Sequence, residues 1–186
     1  KLKWAAGIFL FLVLVVVALI VIVVNPGWGM DRKRPRLAVR IPRLRADVEM
    51  LSSMNPQRDY LHPEALERSA LYIADQFRQA GWESFSQHFT VQGRSYQNIV
   101  ARTGEPNRER IVIGAHYDVC GPQPGADDNA SGVAGLLELA RLVKEQKPQL
   151  KYSLEFVAYC LEEPPFFKTE NMGSFIHVQS LRQESI

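Results

Sequence analysis

The sequence predicts an α/β fold, with a mixed, mainly parallel sheet flanked by helices, preceded by an N-terminal transmembrane helix. Two observations support the sheet. Apolar runs at 110–115 and 152–159 indicate buried strands, and a helical pattern lies between them. Strand, helix and strand in this order imply a right-handed crossover and a parallel pair. The transmembrane helix is predicted from a third observation, an uninterrupted apolar run over residues 4–24.

The apolar run 4–24, WAAGIFLFLVLVVVALIVIVV, contains no charged side chain. At ~1.5 Å per helical residue it is long enough to span the ~30 Å hydrocarbon core of a bilayer. A cleaved signal peptide has a shorter apolar region that ends at a small-residue cleavage site, and a buried core helix is a further alternative. We expect a retained signal anchor, preceded by a short stub over residues 1–3.

Basic side chains are concentrated before residue 46, whereas the rest of the chain carries a net negative charge. A basic stretch can bind nucleic acid, but this one directly follows the apolar run. We therefore interpret residues 25–60 as a basic juxtamembrane tether and expect no nucleic-acid partner. Taken alone, the positive-inside rule places the domain that follows the tether in the cytoplasm.

The part of the chain after the tether begins with an amphipathic helix. Apolar side chains recur at helical spacing after Pro63, a residue suited to a first helical turn, and Gly81 is placed to end the helix. Two short β-like runs follow at 85–91 and 98–102, which indicates an antiparallel pair of strands. We expect the helix to cover the sheet and assign no chemistry to it.

Polar residues that can perform chemistry follow both buried strands. His116 and Asp118 come after the first strand, and Glu162 and Glu163 come after the second. Ligands bind at the carboxyl ends of strands in such sheets. The segment 125–132, GADDNASG, opens the helix between the two strands. Each motif alone has a plainer explanation, as a structural histidine, a helix cap or a solvated acid. Their combination indicates a metal hydrolase, in which one carboxylate binds the metal and its neighbour transfers a proton.

Three segments carry a resemblance to a known family: IVIGAHYD, PGADDNASGVAGLLELAR and EFVAYCLEEPPFF. With them the sequence resembles the di-zinc aminopeptidases of clan MH, a metallopeptidase family that includes the glutaminyl cyclases. The resemblance extends over about residues 61–181. It implies a zinc exopeptidase-like fold, with residues 61–186 as the N-terminal part of a zinc peptidase domain.

The resemblance also implies a role for each candidate site residue. His116 is implied to bind one zinc ion, Glu163 to bind a second, and Asp128 to bridge the two. Glu162 is implied to be the general base on the bridging water, and Asp118 to orient His116. Histidine with carboxylates can also bind manganese or cobalt, so zinc itself follows from the resemblance.

The family pattern requires two more ligands, an Asp after a further strand and a His on a later loop, and neither is found in the sequence. Because catalytic zinc usually has three protein ligands, we expect both sites to be incomplete. The chain is therefore expected to be a truncated fragment with weak zinc affinity and little or no activity. We expect His177 to be a structural histidine and Cys120 and Cys160 to be free thiols.

The leading functional interpretation is a membrane-anchored, zinc-dependent aminopeptidase that removes N-terminal residues from peptides. A glutaminyl cyclase-like acyltransferase is one alternative, and a non-catalytic receptor or scaffold module is another. The presence of His116, Asp128 and both glutamates argues against the non-catalytic alternative. Because relatives with these motifs usually act outside the cytoplasm, we expect a periplasmic or extracellular peptidase domain, contrary to the positive-inside rule.

Overall fold

The structure is a computed structural model that describes residues 2–24, 38–103 and 109–183. It divides into two compact units, Lys1–Leu37 and Ala38–Ile186. The first unit contains helix α1 (Leu2–Val24), whose side chains from residue 7 to residue 20 are all exposed. The helix predicted over residues 4–24 is therefore present.

A helix that spans a membrane must be both long and apolar. Within the part of the chain that the structure describes, no helix has the combination of length and apolar character that crossing a membrane requires. The predicted transmembrane helix is therefore not confirmed.

The second unit is built on a four-stranded sheet with the order β1-β2-β4-β3. The strands are β1 (Ser84–Val91), β2 (Arg94–Arg102), β3 (Arg110–His116) and β4 (Ser153–Tyr159). Gln92 and Gly93 connect β1 to β2, and both have positive φ, 51° and 77°. A two-residue turn of this kind matches the twist of an antiparallel hairpin, as the sequence predicts.

The sheet is mixed, but the prediction that it is mainly parallel is wrong for the described strands. β3 pairs with β4 in parallel, whereas β2 pairs antiparallel with both β1 and β4. The hairpin makes β1 and β2 antiparallel. β2 also lies beside β4 and runs in the opposite direction to it. Local patterns predicted the antiparallel pair β1–β2 and the parallel pair β3–β4, but not the antiparallel pairing of β2 with β4.

Helices cover both faces of the sheet. The main core lies between one face and the helices α3 (Pro63–Gln79) and α4 (Ser131–Gln146). At its centre Phe156 of β4 contacts Trp82 edge to face, with a centroid distance of 5.0 Å. Helix α5 (Gly173–Gln183) packs on the other face, where its His177 bonds Glu155 at 2.8 Å. The predicted α/β fold with flanking helices is therefore confirmed.

The predicted tether over residues 25–60 is too long. Residues 38–60 belong to the second compact unit and include helix α2 (Ile41–Ser52), while residues 25–37 lie outside the described residues. Leu51 of α2 is completely buried, and Asp47 is 2% exposed. Asp47 accepts two hydrogen bonds from Arg141 of α4, at 2.6 and 3.1 Å. This long-range ion pair attaches α2 to the core.

We predict that Asp47→Ala destabilises the fold by about 3–5 kcal/mol, because it leaves the buried guanidinium of Arg141 without its carboxylate. Asp75→Ala is the matched control. Asp75 pairs with Arg78 at 3.4 Å, with side-chain exposures of 47% and 63%, and removing such a surface pair costs at most about 1 kcal/mol. Urea unfolding measures both values, and equal losses of stability in the two variants would contradict the prediction.

Candidate metal centre

The candidate site lies at the carboxyl ends of the two parallel strands. His116 is the last residue of β3 and is in register with Tyr159, the last residue of β4. The backbone N–H of Tyr117 also donates to the carbonyl of Tyr159 at 2.9 Å. This register places the residues after β3 beside Glu162 and Glu163, which follow β4.

Asp128 reaches the same edge from the turn Ala126–Ala130, which precedes α4. Gly125 enters the turn in the left-handed conformation, and Asp128 itself is extended, with φ −111° and ψ 94°. Asn129 caps the helix instead, since its Oδ1 accepts the backbone N–H of Gly132 at 3.0 Å. The side chain of Asp128 is therefore left free for the site and is 72% exposed.

The structure brings together all five residues that the sequence analysis singled out. His116 Nε2 lies 3.1 Å from Asp128 Oδ1 and 3.7 Å from Glu162 Oε2. One ligand atom each from His116, Asp128 and Glu163 lies within 4.8 Å of the others. Among the described residues this is the cluster of His, Cys, Asp and Glu side chains with the geometry to bind a metal ion. The individual roles of these residues stay predictions.

Asp118 connects the two strand ends. Its side chain is 2% exposed, and its two oxygens accept the backbone N–H groups of Glu162 at 3.1 Å and of Glu163 at 3.0 Å. Its Oδ1 also lies 3.6 Å from His116 Nδ1, an atom that is buried and has no hydrogen-bond partner. The direct effect of Asp118 in this structure is thus to position the two glutamates.

Negative charge is concentrated at the site. Burial raises the pKa of Glu162 and Glu163, and the Asp128 carboxylate raises both further. Burial alone lowers the pKa of His116, but Asp118, Glu162 and Asp128 outweigh it, so the pKa is raised overall. Besides burial, the glutamate shifts reflect carboxylates that repel one another, and the histidine shift reflects carboxylates that attract a proton. A divalent cation would relieve this repulsion.

The donor set fits zinc. Imidazole nitrogen and carboxylate oxygens are zinc ligands in proteins, and the free Nε2 of His116 faces the carboxylates. The buried Nδ1 of His116 has no hydrogen-bond partner in this structure, and Asp118 Oδ1 lies 3.6 Å from it. Cys120 and Cys160 are free thiols, as the sequence predicts.

One residue beside the site was missed by sequence reasoning. Arg58, which the sequence analysis placed in the tether, is 1% exposed and lies against the loop that carries Asp118. Burial lowers its pKa to about 10, although Asp118 and Asp128 oppose the shift. No local signal marks this arginine, because three of its backbone acceptors lie 59 to 67 positions away in the sequence.

Comparison with known proteins places this geometry in a family. Residues 98–179 match peptidase family M28. The chain is 48% identical over 126 residues to the uncharacterized protein YfbL of Escherichia coli K12, and the match covers 63% of this chain and 38% of YfbL. It is 37% identical over 89 residues to an aminopeptidase of Pseudomonas aeruginosa, covering 47% of this chain and 15% of that protein.

A solved structure shows the same fold. The zinc aminopeptidase BSAP from Bacillus subtilis superimposes with a TM-score of 0.70 at 14% identity, and the match covers 81% of this chain and 67% of BSAP. The chain spans less than two thirds of the length of the curated relatives named above. The resemblance found in the sequence is confirmed, and the stretch 98–179, which contains all five candidate site residues, matches the model of peptidase family M28.

Proposed function

We propose that this chain forms the zinc-binding part of a membrane-anchored aminopeptidase that hydrolyses N-terminal peptide bonds. The observation that carries the proposal is the convergence of His116, Asp128 and Glu163, with the free carboxylate of Glu162 beside them. The family match and the similarity to an aminopeptidase of Pseudomonas aeruginosa support a peptidase activity. Peptides with a free N-terminus are the proposed substrates.

His116 Nε2, Asp128 and Glu163 are the residues that would hold zinc, because their ligand atoms lie within 4.8 Å of one another. When bound, zinc polarises a peptide carbonyl and lowers the pKa of water, which allows hydrolysis near neutral pH. The chain's own residues must then supply the proton transfers.

Glu162 is the proposed general base. Its side chain is 28% exposed, so it is accessible from the site, and its Oε2 faces His116 Nε2 at 3.7 Å. Burial raises its pKa toward neutrality, which suits a group that takes a proton from water and returns it to the leaving amine. The hydrogen bond from its backbone N–H to Asp118 keeps the residue in place during both transfers.

The anchor and the location are proposed from the sequence. Residues 4–24 form an uncharged apolar run within α1, and the side chains of residues 7–20 are exposed. Exposed apolar surface of this extent is suited to a lipid environment. We place the peptidase domain on the periplasmic or extracellular side of the membrane.

The membrane proposal is tested by fractionation. We expect the full-length protein to stay in the membrane pellet after alkaline carbonate extraction. High pH breaks ionic contacts at the membrane surface, but it does not remove an apolar helix from the bilayer. Protease added to intact cells, with the outer membrane permeabilised where one is present, should degrade residues 38–183, and a cytoplasmic marker should stay intact. Release by carbonate would contradict the anchor, and protection of the domain would contradict its location.

The catalytic proposal is tested with Glu162→Gln in the full-length protein. We expect hydrolysis of an aminoacyl anilide to fall about 10²–10⁴-fold, because the amide cannot accept a proton, while bound zinc is retained. Glu170→Gln is the matched control on the same loop, since Glu170 is exposed. Unchanged hydrolysis in Glu162→Gln would refute the assignment. Cyclisation of N-terminal Gln peptides without hydrolysis would support the glutaminyl cyclase alternative instead.

The metal proposal is tested with Asp128→Asn. We expect zinc affinity to fall by at least about 10-fold, because the variant loses a charged ligand, and zinc should no longer raise the melting temperature. Asp127→Asn is a close control, since Asp127 is adjacent and exposed. Zinc content after dialysis and calorimetric titration measure the effect. Equal affinities in the two variants would exclude Asp128 as a ligand.

The sequence analysis also predicts weak zinc affinity and little activity for the 186-residue chain itself. Titration of this chain with zinc, beside the full-length protein, tests that separate prediction. Tight binding of two ions together with hydrolysis would show it to be wrong.

A further inference from the structure

We propose that Arg58 is a positioning residue of the metal centre, which keeps the segments that carry His116 and Asp128 at the separation that metal binding requires. The inference rests on the proposed function for the presence of a metal. The hydrogen bonds of the Arg58 guanidinium all go to backbone carbonyls, so Arg58 positions the site through the backbone.

The guanidinium of Arg58 binds four backbone carbonyls. Its Nε donates to Tyr117 at 2.7 Å, and its Nη2 donates to Gly125 at 2.6 Å. Its Nη1 donates to both Leu51 and Pro124, at 2.7 Å each. Every nitrogen of the group therefore has an acceptor, although the side chain is almost fully buried.

Two of the four acceptors belong to the segments that form the site. Tyr117 stands between His116 and Asp118 at the end of β3, and Gly125 begins the turn that carries Asp128. The carbonyl of Gly125 also accepts the backbone N–H of Ala130 at 3.0 Å, which closes this turn. One planar group thus sets the distance between the two segments.

The backbone of Arg58 also contacts the loop after β3. Its carbonyl accepts the N–H of Val119 at 3.1 Å, so the loop after β3 is bonded to Arg58 by side chain and main chain. Close packing leaves no room for adjustment at Gly125. A Cβ added there would lie 2.9 Å from Arg58 Nη2 and would also collide with the side chain of Val119.

The charge of Arg58 is placed to act on the site as well. Its hydrogen bonds all go to neutral carbonyls, and the carboxylates that act on it electrostatically are those of Asp118 and Asp128. A lysine would keep this charge but could not present the fixed fork of donors that arginine has.

The proposal is tested by comparing Arg58→Lys and Arg58→Met with Arg141→Lys in the full-length protein. Arg141 is also buried, but it binds Asp47 and Gln76 in the α2–α4 contact. Zinc affinity is measured by competition with a chelating dye at a temperature where circular dichroism shows all proteins folded. Cobalt absorption spectra report the ligand geometry independently of activity.

We expect zinc affinity to fall about 10- to 100-fold in Arg58→Met, and by less in Arg58→Lys, because supporting residues around a metal typically contribute this much. The cobalt spectrum should change in both variants. In Arg141→Lys both readouts should match the wild type despite lower stability. Arg58→Lys keeps the buried stem and the charge, so it serves as the test if Arg58→Met does not fold.

Unchanged affinity and an unchanged cobalt spectrum in folded Arg58→Lys and Arg58→Met would overturn the inference. An equal loss of affinity in Arg141→Lys would also overturn it, because the effect would then follow from general destabilisation. Failure of the wild-type protein to bind zinc or cobalt would instead refute the proposed function and the inference together. The wild-type titration therefore distinguishes the two failures.

Discussion

The pair of hydrogen bonds from the backbone of Glu162 and Glu163 to Asp118 is the interaction on which the site depends. It joins the loop after β4 to the loop after β3, at 3.1 and 3.0 Å. A buried carboxylate needs such donors, because burial without them costs several kcal/mol. The same two bonds that stabilise Asp118 place one glutamate carboxylate near His116 and the other near Asp128. These two hydrogen bonds therefore both stabilise the loop and set the geometry of the site.

Two buried arginines show how the fold uses charge for different purposes. Arg141 pairs with the carboxylate of Asp47 and attaches α2 to α4. Arg58 binds backbone carbonyls and leaves its charge directed to the carboxylates of the metal site. The first arrangement belongs to a polar network between α2 and α4, in which Arg141 also lies 3.7 Å from Glu138. The second joins the segments that carry the residues of the metal site.

The opposite face of the sheet is polar as well, but its groups are paired with one another. His177 of α5 contacts Glu155 at 2.8 Å and Gln87 at 3.2 Å, and Arg110 donates to the same Glu155 at 2.9 Å. The prediction that His177 is a structural histidine is therefore confirmed. His116 differs from His177, because its Nδ1 has no hydrogen-bond partner and its Nε2 lies beside the carboxylates of Asp128 and Glu162 in the candidate metal site.

The sequence by itself determined the local elements and the candidate residues. The strands at 110–116 and 153–159, the helix from Pro63 and the acidic and histidine motifs are short-range patterns of polarity and spacing, so they are visible along the chain. Only the tertiary structure decided the sheet order, the packing of residues 38–60 and the burial of Arg58. These depend on partners far apart in sequence: Arg58 and Gly125 are separated by 67 positions and Asp47 and Arg141 by 94. Local propensity carries no information about such pairs, because their contact free energy exists only once the chain has folded.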